Sequence, residues 1–267
     1  MAKTIAVLSQ KGGTGKTTAV RTLADALLRV GVRVLCVDLD PQGNLSDYLD
    51  MPPDASPTIS EVLEGQATLP QAIHSHVVPA NLHLAEVELM LGGKIGRELT
   101  LRRALQAVPL DYEIVLIDCP PSLGLLTVNA LVAADHALIT AEAQYFALQG
   151  VEQALQVVAL AQDSLNEELT VIGVLLNIAD LRTVHSREAL ASLQERFGEK
   201  VFRSVVRASI AYAESAERAV SILDHRPDLG ADYLQLCDEL LLRLDGFHAQ
   251  RRKLSLMLRS ARSHPHS

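Results

Sequence analysis

Short apolar runs punctuate the chain at TIAVL (4–8), VRVLCVD (32–38), EIVLID (113–118), HALIT (136–140) and TVIGVLLN (170–177). They are rich in β-branched residues and show little alternation, the pattern of strands buried on both faces. Between them the apolar positions change to a helical period, from about Thr17 to Val30, near 123–134, 145–162 and 186–197, and in a last long stretch from about Ala231. Gly31 closes the first of these helices. Strand–helix alternation of this kind predicts an α/β fold in three layers, a mainly parallel sheet with helices on both faces, joined by right-handed crossovers. The stretch MPPDASPTISEVLEGQATLP (51–70) reads as a surface connection plus a short helix, not a domain boundary. There is no internal repeat and no low-complexity block. Residues 1–267 therefore read as one domain.

Composition adds limits. Apolar residues make up 48% and aromatics only 3% with no Trp, so the core must be aliphatic. The cysteines Cys36, Cys119 and Cys237 are widely spaced, which excludes a C-x-x-C zinc or redox pair and fits a reducing compartment. Met1-Ala2-Lys3 runs straight into the first strand, leaving no room for a signal peptide. No apolar run is long enough to span a bilayer. These features predict a soluble, cytoplasmic protein. Net charge is −8, but it is unevenly spread. Residues 1–199 hold 13 Lys/Arg against 24 Asp/Glu, whereas residues 200–267 hold 11 against 8. Residues 246–267 form a basic tail, free to be flexible, with Arg251, Arg252, Lys253, Arg259 and Arg262 and no acid. A polyanion partner is therefore allowed, through local contacts only.

In open parallel sheets ligands bind at the carboxyl ends of the strands, and three such ends carry chemistry here. After the first strand comes SQKGGTGKTTAV (9–20). Gly12, Gly13 and Gly15 let the backbone curl into an anion nest, with Thr14 and Thr18 in the same loop, and the following helix adds its positive dipole end. Lys16 can reach the β- and γ-phosphates of a nucleotide, and the Thr17 hydroxyl suits Mg²⁺. The usual G-x-x-x-x-G-K-S/T pattern is broken, because Gln10 stands where the first glycine belongs and an extra lysine, Lys11, follows it. After the second strand comes DLDPQGN (38–44). Asp38 and Asp40 point the same way if the strand continues, and Asp40 could position an attacking water near Mg²⁺; an Asx-Pro turn is the plainer reading. Asp118 ends an apolar strand before CPPSLG, where a phosphate-loop protein keeps a carboxylate that holds Mg²⁺ through water.

SQKGGTGKTTAV, DLDPQGN and IDCPPSLGLLTVNAL together resemble the ParA/MinD family of deviant P-loop ATPases, and within it the ParA/Soj partition branch. The likeness continues through QYFALQGVEQAL (144–155), LLNIADLRT (175–183) and AESAERAVSI (213–222). It departs from the pattern at Glu142, where Gln is usual, and at Val206 and Ala216, where Pro is common. The resemblance implies a P-loop NTPase fold that hydrolyses ATP with Mg²⁺. It makes Lys11 the signature lysine, crossing a homodimer interface to the partner's phosphates. It also implies non-specific binding of double-stranded DNA by the ATP dimer, a nucleoid-associated location, and a ParB-like centromere-binding partner that stimulates hydrolysis.

Several residues follow from that reading. Asn177, at a strand end, could read the adenine or cap the strand, and Arg207 joins it in the nucleotide site. Arg182, Arg187, Arg203, Arg218 and Arg226 are the DNA-contact candidates. Because the chain starts at the first strand, the N-terminal helix-turn-helix of larger plasmid partition ATPases is not expected, nor operator-specific repression. The alternative is a MinD-like membrane-cycling ATPase. The tail invites it, since Leu254, Met257, Leu258 and Ala261 share one helical face among arginines; DPQGN and DCPPSLG favour ParA. A metal-cluster carrier would need cysteines at the dimer axis, and a small-molecule kinase would lack Lys11.

Overall fold

The computed structural model describes residues 2–108, 111–144 and 146–263, with side chains up to Ala261. Met1, Tyr145 of the QYFALQG stretch, residues 264–267 of the tail and the Arg262 side chain lie outside the described residues. The chain builds one six-stranded sheet, all parallel, in the order β3-β2-β4-β1-β5-β6. The strands are β1 (Lys3–Leu8), β2 (Val34–Asp38), β3 (Val77–Val78), β4 (Ile114–Asp118), β5 (His136–Glu142) and β6 (Thr170–Asn177). The predicted strands all form, although β2 begins two residues later than its apolar run. The two-residue β3 adds itself to the β2 edge by pairing Val77 with Cys36 and Val78 with Val37.

The central strands show why an unbroken apolar run is needed. In β1, Ile5 and Val7 face one core while Ala6 and Leu8 face the other, and β4 divides likewise between Ile114 and Leu116 on one side and Val115 and Ile117 on the other. Side chains alternate faces along a strand, and here both faces are covered. Over the first face lie α1 (Lys16–Arg29), α10 (Ile222–His225), α11 (Pro227–Leu244) and α12 (His248–Ser263). Over the second lie α3 (Ile59–Glu64), α4 (His83–Leu91), α5 (Thr100–Leu105), α6 (Leu125–Ala133), α7 (Ala147–Ser164) and α8 (Val184–Phe197). The short helices α2 (Asn44–Tyr48) and α9 (Ala211–Glu217) sit near the strands' carboxyl ends. The three-layer α/β architecture is as predicted.

The region 51–70 holds its short helix as α3, started by a capping box between Thr58 and Glu61 and ended by Gly65. The last predicted helix divides. α11 starts at Pro227, where proline at the first position suits a helix, and Gly246 separates it from α12. The basic tail is thus a helix laid on the protein. Leu254 is fully buried, Met257 and Leu258 pack against the α1–α11 layer, Arg251 pairs with Asp238 at 2.9 Å, and Lys253 donates to the Val30 carbonyl. Among the described residues no helix is long and apolar enough to cross a membrane.

Candidate nucleotide site

The phosphate loop joins β1 to α1, so its backbone emerges at the carboxyl end of a central strand. Gly13 (φ 76°) and Gly15 (φ 77°) adopt the left-handed conformation that L-residues avoid. At Gly15 a side chain would also collide with the Asn177 amide. The first amides of an α-helix have no intrahelical partner, and α1 has no side-chain cap. Lys16 is 6% exposed, and its ammonium donates to Ser9 Oγ at 3.1 Å. A cleft of about 640 Å³ opens here, lined by Gly12, Gly13 and Lys16 at the loop, by Asp40 opposite, and by Tyr48 and Tyr212 further out.

Asp118 is fully buried at the end of β4, against Thr17, which lines the cleft. Its register pairs it with Asp38 on β2 and Val7 on β1. Oδ2 accepts from Thr17 Oγ1 at 2.6 Å, whereas Oδ1 is buried with no hydrogen-bond partner. Burial pushes the Asp118 carboxyl well above the usual carboxylate range, and the Asp38 charge pushes it further. A carboxyl group buried beside a threonine hydroxyl suits a site completed by a hydrated cation, whose charge would favour the ionised form. The arrangement thus suits Mg²⁺ between Thr17, Asp118 and a bound phosphate. Among the described residues no cluster of three His, Cys, Asp or Glu could hold a metal unaided.

The two aspartates after β2 do not share a direction. The strand ends at Asp38, which is fully buried and accepts from Ser46 N (2.9 Å), Ser46 Oγ (2.8 Å) and Asp40 N (3.1 Å). Burial raises its carboxyl pKa too. Asp38 therefore shapes the turn. Asp40 Oδ1 accepts from Gln42 N at 3.0 Å, an Asx turn, and Asp40 still lines the cleft. The turn and the cleft position coexist.

Lys11 lies elsewhere. It is exposed, and its ammonium sits over the Phe146 ring, 5.2 Å from the centroid. It does not line the nucleotide cleft; it borders a separate small hollow with Glu142, Gln144 and Phe146. Asn177 is 2% exposed and sits beneath the loop, its amide donating to the Thr14 carbonyl at 3.0 Å and accepting from Ile178 N at 2.9 Å. Arg207 is held on α11 by Asp232 at 2.8 Å and by the Asp228 carbonyl. Neither borders the cleft, whose outer wall is Ile178, Tyr212, Ala213 and Ala216.

The arginines named for DNA are spread from β6 to α11. Arg182 pairs with Asp180 (2.8 Å), Arg187 donates to the carbonyls of residues 181 and 182, and Arg226 pairs with Asp228 (2.9 Å). Arg203 and Arg218 are exposed. Cys36 and Cys119 are buried with their thiols pushed up by burial, which leaves no reactive thiolate. Sequence reading passed over Ser9 and Thr140 beneath the loop, and over Tyr48 and Tyr212; hydroxyls and aromatics outside a motif carry no spacing signal.

A glycine nest before an uncapped helix, a buried lysine and a threonine–aspartate pair joining the start of α1 to the end of β4 define a P-loop nucleoside triphosphatase with an additional loop lysine. A family model described as an AAA domain matches residues 2–171. The chain is 39% identical over 249 residues to the sporulation initiation inhibitor protein Soj of Bacillus subtilis, covering 90% of this chain and 98% of that protein. It is 36% identical over 252 residues to the chromosome partitioning protein ParA of Caulobacter vibrioides, covering 90% and 94%. A solved structure of cobyrinic acid a,c-diamide synthase from Mycobacterium smegmatis, with bound ADP and magnesium, is 37% identical with a TM-score of 0.75, covering 84% of this chain and 95% of that one. The chain belongs to the ParA/MinD family of deviant P-loop ATPases, in its ParA/Soj branch.

Proposed function

We propose that this protein is a single-domain, Mg²⁺-dependent ATPase that partitions DNA by switching between a monomer and an ATP-sandwich dimer. The observation that carries the reading is the position of the two loop lysines. Lys16 is buried at the cleft, while Lys11 is exposed and turned onto Phe146, away from its own nucleotide site. A cation lying outside its own site would be available to a second copy's phosphates. There it would add positive charge where the transition state needs it. Gly12, Gly13, Thr14, Gly15, Lys16, Thr17 and Thr18 would hold the phosphates, with Thr17, Asp40 and Asp118 around the metal. Magnesium, when bound, neutralises charge on the phosphates. Asp40 would orient the water. Asn177 would serve the nucleotide through the loop it braces, and Arg207 through the wall it ties to α11.

The dimer would bind double-stranded DNA without sequence preference through Arg203 and Arg218, with Arg182, Arg187 and Arg226 at the margins. A ParB-like partner would trigger hydrolysis and reset the cycle at the nucleoid. The solved relative bound to ADP and magnesium supports the ligand choice. The membrane-cycling alternative is less well supported, because the apolar face of α12 is packed on α11. Gel filtration with light scattering tests the proposal. The protein should be a monomer with ADP and a dimer with ATP and Mg²⁺. DNA co-sedimentation should require ATP and fall about 10³-fold between 50 and 200 mM salt if about six phosphates are contacted. A monomer under all nucleotides would refute the sandwich.

A further inference from the structure

Beneath the phosphate loop, three buried hydroxyls form a chain that the reading above leaves unused. Ser9, Thr14 and Thr140 are 1%, 4% and 2% exposed. Ser9 Oγ lies 2.7 Å from the Lys11 carbonyl oxygen, which can only accept, so the serine hydroxyl donates there. Thr14 Oγ1, 2.9 Å from Ser9 Oγ, must then donate to it. Thr140 Oγ1, 2.9 Å from Thr14, must in turn donate to Thr14. The Lys16 ammonium donates to the other lone pair of Ser9. Every proton in the series Thr140, Thr14, Ser9 therefore points toward Lys11, and each bond polarises the next.

We propose that Thr140 is a positioning residue: through Thr14 and Ser9 it fixes the backbone of Lys11 and so aims the side chain that would act on a second copy. Thr140 suits this work because it lies within β5, paired in register with Leu175 of β6, and so is anchored in the sheet outside the loop. Without its hydroxyl, Thr14 would keep an unsatisfied buried acceptor and could turn its own proton elsewhere, releasing Ser9 and the Lys11 carbonyl. Lys16 would still have Ser9. The proposal rests on the cross-subunit role of Lys11 given above.

The test compares Thr140→Val, which keeps shape and burial, with Thr140→Ser, which keeps the hydroxyl, in the full-length protein. Three quantities are read: amide hydrogen exchange at residues 11–13 without nucleotide, the Kd for a fluorescent ATP analogue, and the kcat for ATP. In the valine variant exchange should quicken and kcat should fall, each about tenfold, while Kd moves less than about threefold, the scale of one lost buried hydrogen bond. The serine variant should return both to wild type. Wild-type exchange and kcat in Thr140→Val would overturn the proposal. Equal defects in the two variants would overturn it as well, because they would trace to the methyl group. A wild-type protein without ATPase activity would instead defeat the proposed function, and the exchange experiment would still decide the hydroxyl chain.

Discussion

The two ends of the sheet are built from similar residues and differ in how they are satisfied. At the amino-terminal edge the chain closes upon itself. Asp135 accepts from the Thr4 amide at 2.7 Å, and Glu113 takes the Arg33 amide at 3.1 Å and pairs with its guanidinium. The Asn166 amide covers the carbonyls of Leu131 and Ala134. Among the described residues this edge leaves Nε2 of His136 without a partner, while its Nδ1 meets Thr170 Oγ1 at 2.6 Å. At the carboxyl-terminal edge several groups are left open. α1 has no side-chain cap, Asp118 Oδ1 has no partner, Lys16 leans on a neutral serine, and Lys11 lies on an aromatic ring. Buried polar groups are normally paired. Open groups beside a cleft at the carboxyl end are the mark of a ligand site.

Substitutions at the carboxyl end should change chemistry and leave folding alone. The largest effect should come from Lys16→Ala, which removes the buried cation facing the phosphates. ATP affinity should drop by about 100-fold or more, a charged contact of about 3 kcal/mol, as read by equilibrium titration. Retained affinity would mean the glycine nest suffices alone. Lys11→Ala should keep monomer affinity for ATP, because the nest and Lys16 are intact, yet lose the ATP dimer. Its kcat should fall by about 10³-fold, the scale of a finger residue supplied in trans. Light scattering that still showed an ATP dimer would make Lys11 an ordinary surface lysine.

Asp40→Ala sharpens the comparison within the carboxyl end, since Asp40 lines the cleft while Asp38 is locked into the turn. Binding should persist, and hydrolysis should slow by about 10²-fold, the lower range for a group that orients a reacting water. Equal single-turnover rates in variant and wild type would reject that role.

The smallest effect belongs to the amino-terminal edge. Burial lowers the His136 pKa, so between that value and the unfolded value of about 6.5 the unfolded chain binds more protons. Stability from this group is therefore complete above about pH 6.5 and is lost as pH falls below it. The loss should stay well under about 1 kcal/mol, because the half-exposed ring is screened by solvent. His136→Asn should flatten this part of a melting-temperature profile and leave ATP affinity unchanged. A change in affinity would break the division between the two ends.

Local chemistry was legible in the sequence. The strands β1, β2, β4, β5 and β6 announced themselves because a run buried on both faces must be apolar throughout. The glycines, Lys16 and Thr17 did so because a phosphate loop is short and its residues act within one turn of chain, and Asp118 did so because it is an acid ending an apolar strand. Strand β3 escaped notice, since Val77 and Val78 are too few to form a pattern and owe their pairing to the exposed edge of β2. The tail showed an amphipathic face, but not that the face would be filled by α11.

What only the tertiary structure decided is which polar groups meet across distance. Thr14 and Thr140 are 126 residues apart, and Thr17 and Asp118 are 101 apart, yet both pairs touch. Asn177 reaches back 163 residues to brace the loop instead of facing the cleft. Residue type sets what each group can donate or accept. Parallel pairing, which places the carboxyl ends of β1, β4, β5 and β6 side by side, sets whom it meets. Periodicity carries burial because burial repeats along the chain. Hydrogen-bond partnership has no such repeat, and it arises only when the crossovers return each strand to the sheet.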